Sequence, residues 1–118
     1  MFKKLIPLAI VTLMATSANA APPIFYSTND KMPFSDAVQL GDILYLSGQI
    51  GVAPNTNKLV DGGIGPQAKQ TLENIGTILK ARGLDYSSIF KCTVMLSDIN
   101  DWQAFNAVYV QYFKSGKL

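Results

Sequence analysis

A tight reversal of the chain is written into Ala37–Gly51 (AVQLGDILYLSGQIG), and it limits the possible fold more than any other stretch. Two apolar runs, Ala37–Leu40 and Ile43–Ile50, are separated only by Gly41-Asp42. A two-residue connection between extended runs needs a positive φ, which glycine adopts without a Cβ penalty, so the stretch reads as an antiparallel hairpin. The second run passes into Ser47-Gly48-Gln49, a hydroxyl, a bare backbone and an amide. A strand that ends this way either brings N–H groups and small polar side chains close to a ligand or simply runs into a loop.

Residues 1–20 stand apart from the fold. Lys3 and Lys4 precede the mostly apolar run Leu5–Met14, which leads into the small residues Ser17-Ala18-Asn19-Ala20. That is the pattern of a secretory signal peptide cut after Ala20, leaving 21–118 as the domain and making the expected location periplasmic or secreted. The apolar run is shorter than the roughly 20 residues of a membrane span, so no membrane association is expected after cleavage. Residues 21–118 hold eight basic and eight acidic side chains and no formal net charge. Without a basic stripe, nucleic acid is not an expected partner. Cys92 is the only cysteine and cannot form an internal disulfide, even in an oxidising compartment. The absence of histidine excludes His-based acid–base chemistry and argues against a zinc site.

Taken in order, Ile24–Ser27 is a candidate edge strand after Pro22-Pro23, and Gly51–Gly65, with Pro54, Asn55, Asn57 and Gly62-Gly63, is a loop. Pro66 suits the first position of a helix. Ala68, Leu72, Ile75 and Leu79 then recur at helical spacing, and Gly83 is the expected stop. Ile89–Leu96 alternates as a strand, with Phe90, Cys92, Val94 and Leu96 on one face and Ile89, Lys91, Thr93 and Met95 on the other. Cys92 is therefore expected as a small buried hydrophobe and not a nucleophile. Asn100 is the expected N-cap of a second helix, with Gln103 completing a capping box. Trp102, Phe105, Tyr109 and Tyr112 form an aromatic stripe on it, flanked by Val108 and Phe113. Asn106 interrupts the apolar positions and is either a solvated helix residue or a ligand-binding amide.

The expected order is strand, strand, helix, strand, helix. Crossing from strand to strand through a helix implies parallel pairing within the sheet. Two helices cover one sheet face, leaving Ile43, Tyr45, Ile89 and Met95 wet on the other. Such a surface points to self-association.

Four collinear segments, Leu46–Gly51, Gln67–Ile75, Lys91–Leu96 and Phe105–Tyr109, together resemble the RidA/YjgF family from about Met32 to Leu118. The resemblance implies an α+β fold of the chorismate-mutase type, a mixed sheet with two helices on one face. It also implies a homotrimer with clefts between subunits and hydrolysis of reactive 2-imino acids to 2-keto acids and ammonia, with no metal or organic cofactor. The family's catalytic members hold the substrate carboxylate with an arginine in a Pro-Ala-Arg-Ser segment and activate water with a glutamate on the final strand. A bidentate arginine and one positioned base are enough when the C=N is already electrophilic.

By position, the resemblance assigns Phe34, Ser47, Gly48 and Asn106 to substrate binding and assigns no catalytic residue within these 118 residues. Met32-Pro33-Phe34 stands where many members have Gly-Pro-Tyr, so the ring at position 34 lacks its hydroxyl. The sequence reaches Lys117-Leu118 where the Pro-Ala-Arg-Ser segment and last two strands are expected, so the domain reads as an incomplete one. Arg82, at the end of the first helix, and Glu73, on that helix's surface, are not substitutes for the catalytic pair. Three functions follow in order: an imine deaminase in the intact protein, a non-catalytic trimer binding small carboxylates or exposed hydrophobic segments, and, last, a ribonuclease, for which neither a histidine base nor phosphate-binding charge is present.

Overall fold

The computed structural model describes residues 20–113. The leader assigned to 1–20 and the terminal Lys114–Leu118 therefore lie, apart from Ala20, outside the described residues. Strands β1 (Ile24–Tyr26), β2 (Ala37–Leu40) and β3 (Ile43–Leu46) form one antiparallel sheet in the order β1-β2-β3. The hairpin closes through Leu40 opposite Ile43, with Gly41 at φ 58° making the expected turn. The edge strand proposed at Ile24–Ser27 is present, and Tyr26 hydroxyl donates to Gln39 Oε1 at 2.8 Å across it. β3 ends at Leu46, earlier than the apolar run suggests: Ser47 N–H makes one further ladder bond to the Asp36 carbonyl, and none follows from Gly48 on.

Helix α1 (Ile64–Lys80) buries Ala68, Leu72 and Leu79, three of the four positions that its spacing singled out. It starts two residues before Pro66, which sits in the first turn, where a missing N–H removes no helical bond. Gly83, at φ 69°, stops it as expected, and Leu84 N–H donates back to the Leu79 carbonyl at 3.0 Å. Arg82 lies 4.1 Å over the Tyr26 ring, and Asn74 reaches the carbonyls of Ile50 and Val52. These contacts lay α1 across the face that carries Tyr26, Ala37 and Leu46. Ala37 is 1% exposed there and joins Ala68, Leu72, Leu79 and Phe105 in the core.

Helix α2 (Trp102–Tyr109) packs against α1. Its entry differs from the capping box expected at Asn100 and Gln103. Asp98 caps a preceding 3₁₀ turn, Ile99–Asp101, by accepting the Asn100 N–H, and α2 follows with Asp101 at its N-cap without a side-chain cap bond. An aspartate two residues earlier captures the backbone donor first, so Asn100 becomes part of the turn and not its cap. The aromatic stripe is continuous: Trp102–Phe105, Phe105–Tyr109 and Tyr109–Phe113 ring centroids are 6.1, 5.3 and 4.5 Å apart. Tyr112 leaves this line and meets Tyr86 edge-on at 5.2 Å.

The main departure is Ile89–Leu96, which forms no strand; among the described residues every strand pairing is antiparallel and the expected parallel pairing is not made. Phe90 and Met95 are 68% and 88% exposed, although alternation placed them on opposite faces. Alternating side chains supply strand propensity, but a strand exists only as one side of a backbone ladder. Cys92 is half-buried and not fully enclosed. On the hairpin, Phe25, Leu40, Ile43 and Tyr45 share the face away from α1 and are all exposed; of the wet face expected from Ile43, Tyr45, Ile89 and Met95, only Ile43 and Tyr45 lie on it, because Ile89 and Met95 belong to a segment that joins no sheet. No helix among the described residues is long and apolar enough to cross a membrane.

Candidate functional site

The end of β3 is fastened to the segment that enters β2. The Asp36 carboxylate accepts from the backbone N–H and hydroxyl of Thr28, at 2.6 and 2.7 Å. The Asp36 carbonyl accepts the Ser47 N–H at 3.0 Å, and the Ser47 hydroxyl donates to the Ser35 carbonyl. Three candidate residues are thereby brought together, because Phe34 directly precedes Ser35 and Gly48 directly follows Ser47. The Ser47 proton is committed to the backbone, so toward a ligand this hydroxyl acts as an acceptor. The Phe34 ring is 53% exposed beside it.

From Gly48 the chain leaves the sheet. Among the described residues, the N–H groups of Gly48, Gln49 and Ile50 donate to no group of the chain. Three adjacent amides with no internal partner can receive carboxylate or carbonyl oxygens, since backbone donors need little reorganisation to do so. A Cβ added to Gly48 would meet nothing within 4 Å. The chain's own packing therefore does not demand glycine there, while a molecule approaching the backbone would benefit from it. Gln49 folds back to donate to the Ser47 carbonyl at 3.3 Å.

Beyond Ile50 the segment is tied to α1. The Asn74 carboxamide donates to the Ile50 and Val52 carbonyls at 3.1 and 3.0 Å, and Gln70 donates to Asn74 Oδ1 at 2.9 Å. In the sequence Gln70 and Asn74 stand out only as part of the Gln67–Ile75 segment. Their spacing of four residues, with two amides on one side of an amphipathic helix, is the signal that could have found them.

Asn106 stands on the second helix. It is half-buried on α2, where its carbonyl accepts the Val110 N–H at 3.1 Å, and no hydrogen bond among the described residues joins it to the Phe34–Ile50 wall. Arg82 stacks on Tyr26, and Glu73 pairs with Lys69 at 3.8 Å on the helix surface. Burial first, and then a hydrogen bond with the Cys92 thiol, push the Tyr109 phenol up to about 12, so it stays protonated and neutral near pH 7. Burial also raises Tyr86 and Tyr112. Among the described residues no group of three or more His, Cys, Asp or Glu side chains could hold a metal ion.

The family described as Endoribonuclease L-PSP matches residues 27–117, which include the whole wall. The chain is 51% identical over 83 residues to the human 2-iminobutanoate/2-iminopropanoate deaminase, covering 70% of this chain and 61% of that protein. It is 43% identical over 81 residues to Reactive Intermediate Deaminase A, chloroplastic, of Arabidopsis thaliana, covering 69% and 43%. It thus spans about three-fifths of the length of the mammalian relatives it matches. Among solved structures, YyfA of Yersinia pestis, of the Rid protein family, superposes with TM-score 0.72 at 33% identity over 80% of this chain and 78% of that one. Escherichia coli TdcF with bound serine does so with TM-score 0.66 at 37% identity over 74% and 68%. The hairpin, the fastened wall and the two packed helices are those of an α+β RidA fold, and the chain belongs to the Endoribonuclease L-PSP family, which includes the RidA proteins.

Proposed function

We propose that this chain forms the substrate-binding wall of a hydrolytic deaminase acting on small 2-imino acids. Water adds to the C=N carbon, the C–N bond breaks, and a 2-keto acid and ammonia leave; no redox partner enters the balance. The observation that carries this reading is the family match over 27–117, which contains the wall, together with 51% identity to a protein named for 2-iminobutanoate and 2-iminopropanoate. The serine bound to TdcF supports a small amino-acid-like carboxylate as the ligand class. In this reading Gly48–Ile50 receive polar oxygens of the substrate, Ser47 accepts a hydrogen bond, and Phe34 covers the site with an apolar ring. The protonated C=N is electrophilic without a metal or organic cofactor. The arginine clamp and glutamate base that the resemblance implies for active members are assigned to no residue of this sequence, and the reading concerns the binding wall alone. The uncovered face of Phe25, Leu40, Ile43 and Tyr45 supports self-association, and the homotrimer that the resemblance implies is the assembly proposed. The Lys3–Ala20 pattern supports export, for which the test is an N-terminus at Ala21 in the secreted protein.

The absent hydroxyl of the exposed Phe34 favours one second reading, a trimer that binds small carboxylates without turning them over. An amino-acid oxidase assay that generates imines in situ separates the two. The deaminase reading expects faster ammonia release when the intact protein is added. An unchanged rate with saturable binding of 2-oxobutanoate would replace it with the binding role.

A further inference from the structure

We infer that Asn74 is a positioning residue that sets the conformation of the Ser47–Val52 wall from helix α1; its effect on ligand binding rests on the deaminase reading above. Two independent contacts carry this. The first is the carboxamide of Asn74, whose Nδ2 bridges two carbonyls two residues apart, Ile50 at 3.1 Å and Val52 at 3.0 Å. Gln70, one turn earlier, donates to Asn74 Oδ1 at 2.9 Å and so fixes which end of the amide faces the wall. The second is Gly51, buried between those two carbonyls: a Cβ there would lie 2.7 Å from the Cα and carbonyl oxygen of Gln67. The backbone at 51 rests directly on the helix, and the asparagine grips it on either side.

The geometry matters because, among the described residues, no backbone hydrogen bond from the sheet reaches this stretch beyond Ser47. The ladder's last bond is Ser47 N–H to Asp36, and the next internal backbone bonds begin at Val52 N–H to Ile50 and Val60 N–H to Gly51, at 2.8 and 2.9 Å. Gly48, Gln49 and Ile50 thus span from a strand end to a helix-clamped point with their N–H groups undirected by the chain. Moving the clamped point moves all three donors together. A donor displaced by about 1 Å from its acceptor loses most of its angular and distance fit, which is how a residue outside the pocket changes binding within it.

The test uses the intact protein, with 2-oxobutanoate as probe, and compares Asn74→Asp with Gln70→Leu. Asn74→Asp keeps the shape, removes both donors and turns an oxygen on two carbonyls. Gln70→Leu leaves the donors but frees the amide to rotate, and it is the milder variant if Asn74→Asp fails to fold. The backbone amide NMR signals of Gly48–Val52 and of Val60 are expected to shift in both variants while those of β1 and β2 stay. The dissociation constant for 2-oxobutanoate is expected to rise about tenfold in Asn74→Asp, with a smaller rise in Gln70→Leu. Unmoved Gly48–Val52 signals, or moved signals with unchanged affinity, would overturn the inference. If the unsubstituted protein neither binds 2-oxobutanoate nor speeds ammonia release, the deaminase reading fails, and the amide shifts alone then decide whether Asn74 sets the wall.

Discussion

Ala37–Val52 and Ile89–Leu96 carry comparable patterns of apolar residues, yet only the first contains a paired strand. In the hairpin the partner lies two residues away, so closing the turn costs little entropy and each pair forms against a neighbour already in place. Its far end is then secured by Asn74 and by the close seat of Gly51 on Gln67. Ile89–Leu96 has no such neighbour among the described residues, and only Ile89, Cys92 and Leu96 of it are half-buried. The difference teaches that alternation marks which residues can enter a sheet, while sequence distance to a partner decides which of them do.

The comparison breaks most visibly at Gly51. Gly51→Ala forces the wall off α1 against backbone that cannot swing aside, and overpacking of this kind costs about 1–3 kcal/mol. A fall in the urea midpoint is therefore expected, and an unchanged midpoint would show that the wall is not seated on the helix. Met95, 88% exposed in the unpaired segment, is the opposite case. Met95→Lys is expected to change stability by no more than about 0.5 kcal/mol, as for surface substitutions away from special features. A larger loss in the same urea titration would reveal that Met95 is covered in solution.

The smallest effect sharpens the comparison at Tyr109. Tyr109, raised from 10.0 to about 12 by burial and Cys92, contributes stability that is complete below its unfolded value and is lost as pH rises from about 10 through 12. Tyr109→Phe removes that titration, so its stability is expected to fall less steeply than the parent's over that window and to run parallel with it near pH 7. Identical alkaline limbs would mean that the segment does not stay docked at α2.

The legible parts of the fold were those specified over short distances. Gly41-Asp42 announced the hairpin, and Ala68, Leu72 and Leu79 with Gly83 announced α1, because turn chemistry and helical spacing act within a few residues. The capping aspartate at position 98 was missed because Asn100 is also a good cap, and competition between two adjacent side chains for one N–H is settled by geometry. The strand at 89–96 was over-read for the reason given by its missing partner. At the site, Ser47 and Gly48 were legible as a strand ending in small polar residues, and Phe34 came from the family likeness. The Asn74 grip was not, since it depends on a helix lying across a loop more than 20 residues away. Among the described residues Asn106 makes no hydrogen bond to the wall, which a linear motif could not reveal.

Tyr86 sends its hydroxyl under α1 to the Leu72 carbonyl at 2.8 Å, and a Cβ at Gly76 would collide with the Tyr86 hydroxyl oxygen. The notch and the phenol that fills it are one unit of inheritance: neither position is free to drift alone. A side chain arriving at 76 must evict the ring, and a smaller residue at 86 leaves a trench along the helix. Descendants of this sequence can thus change there only in step, whatever becomes of the pocket on the other side of the same helix.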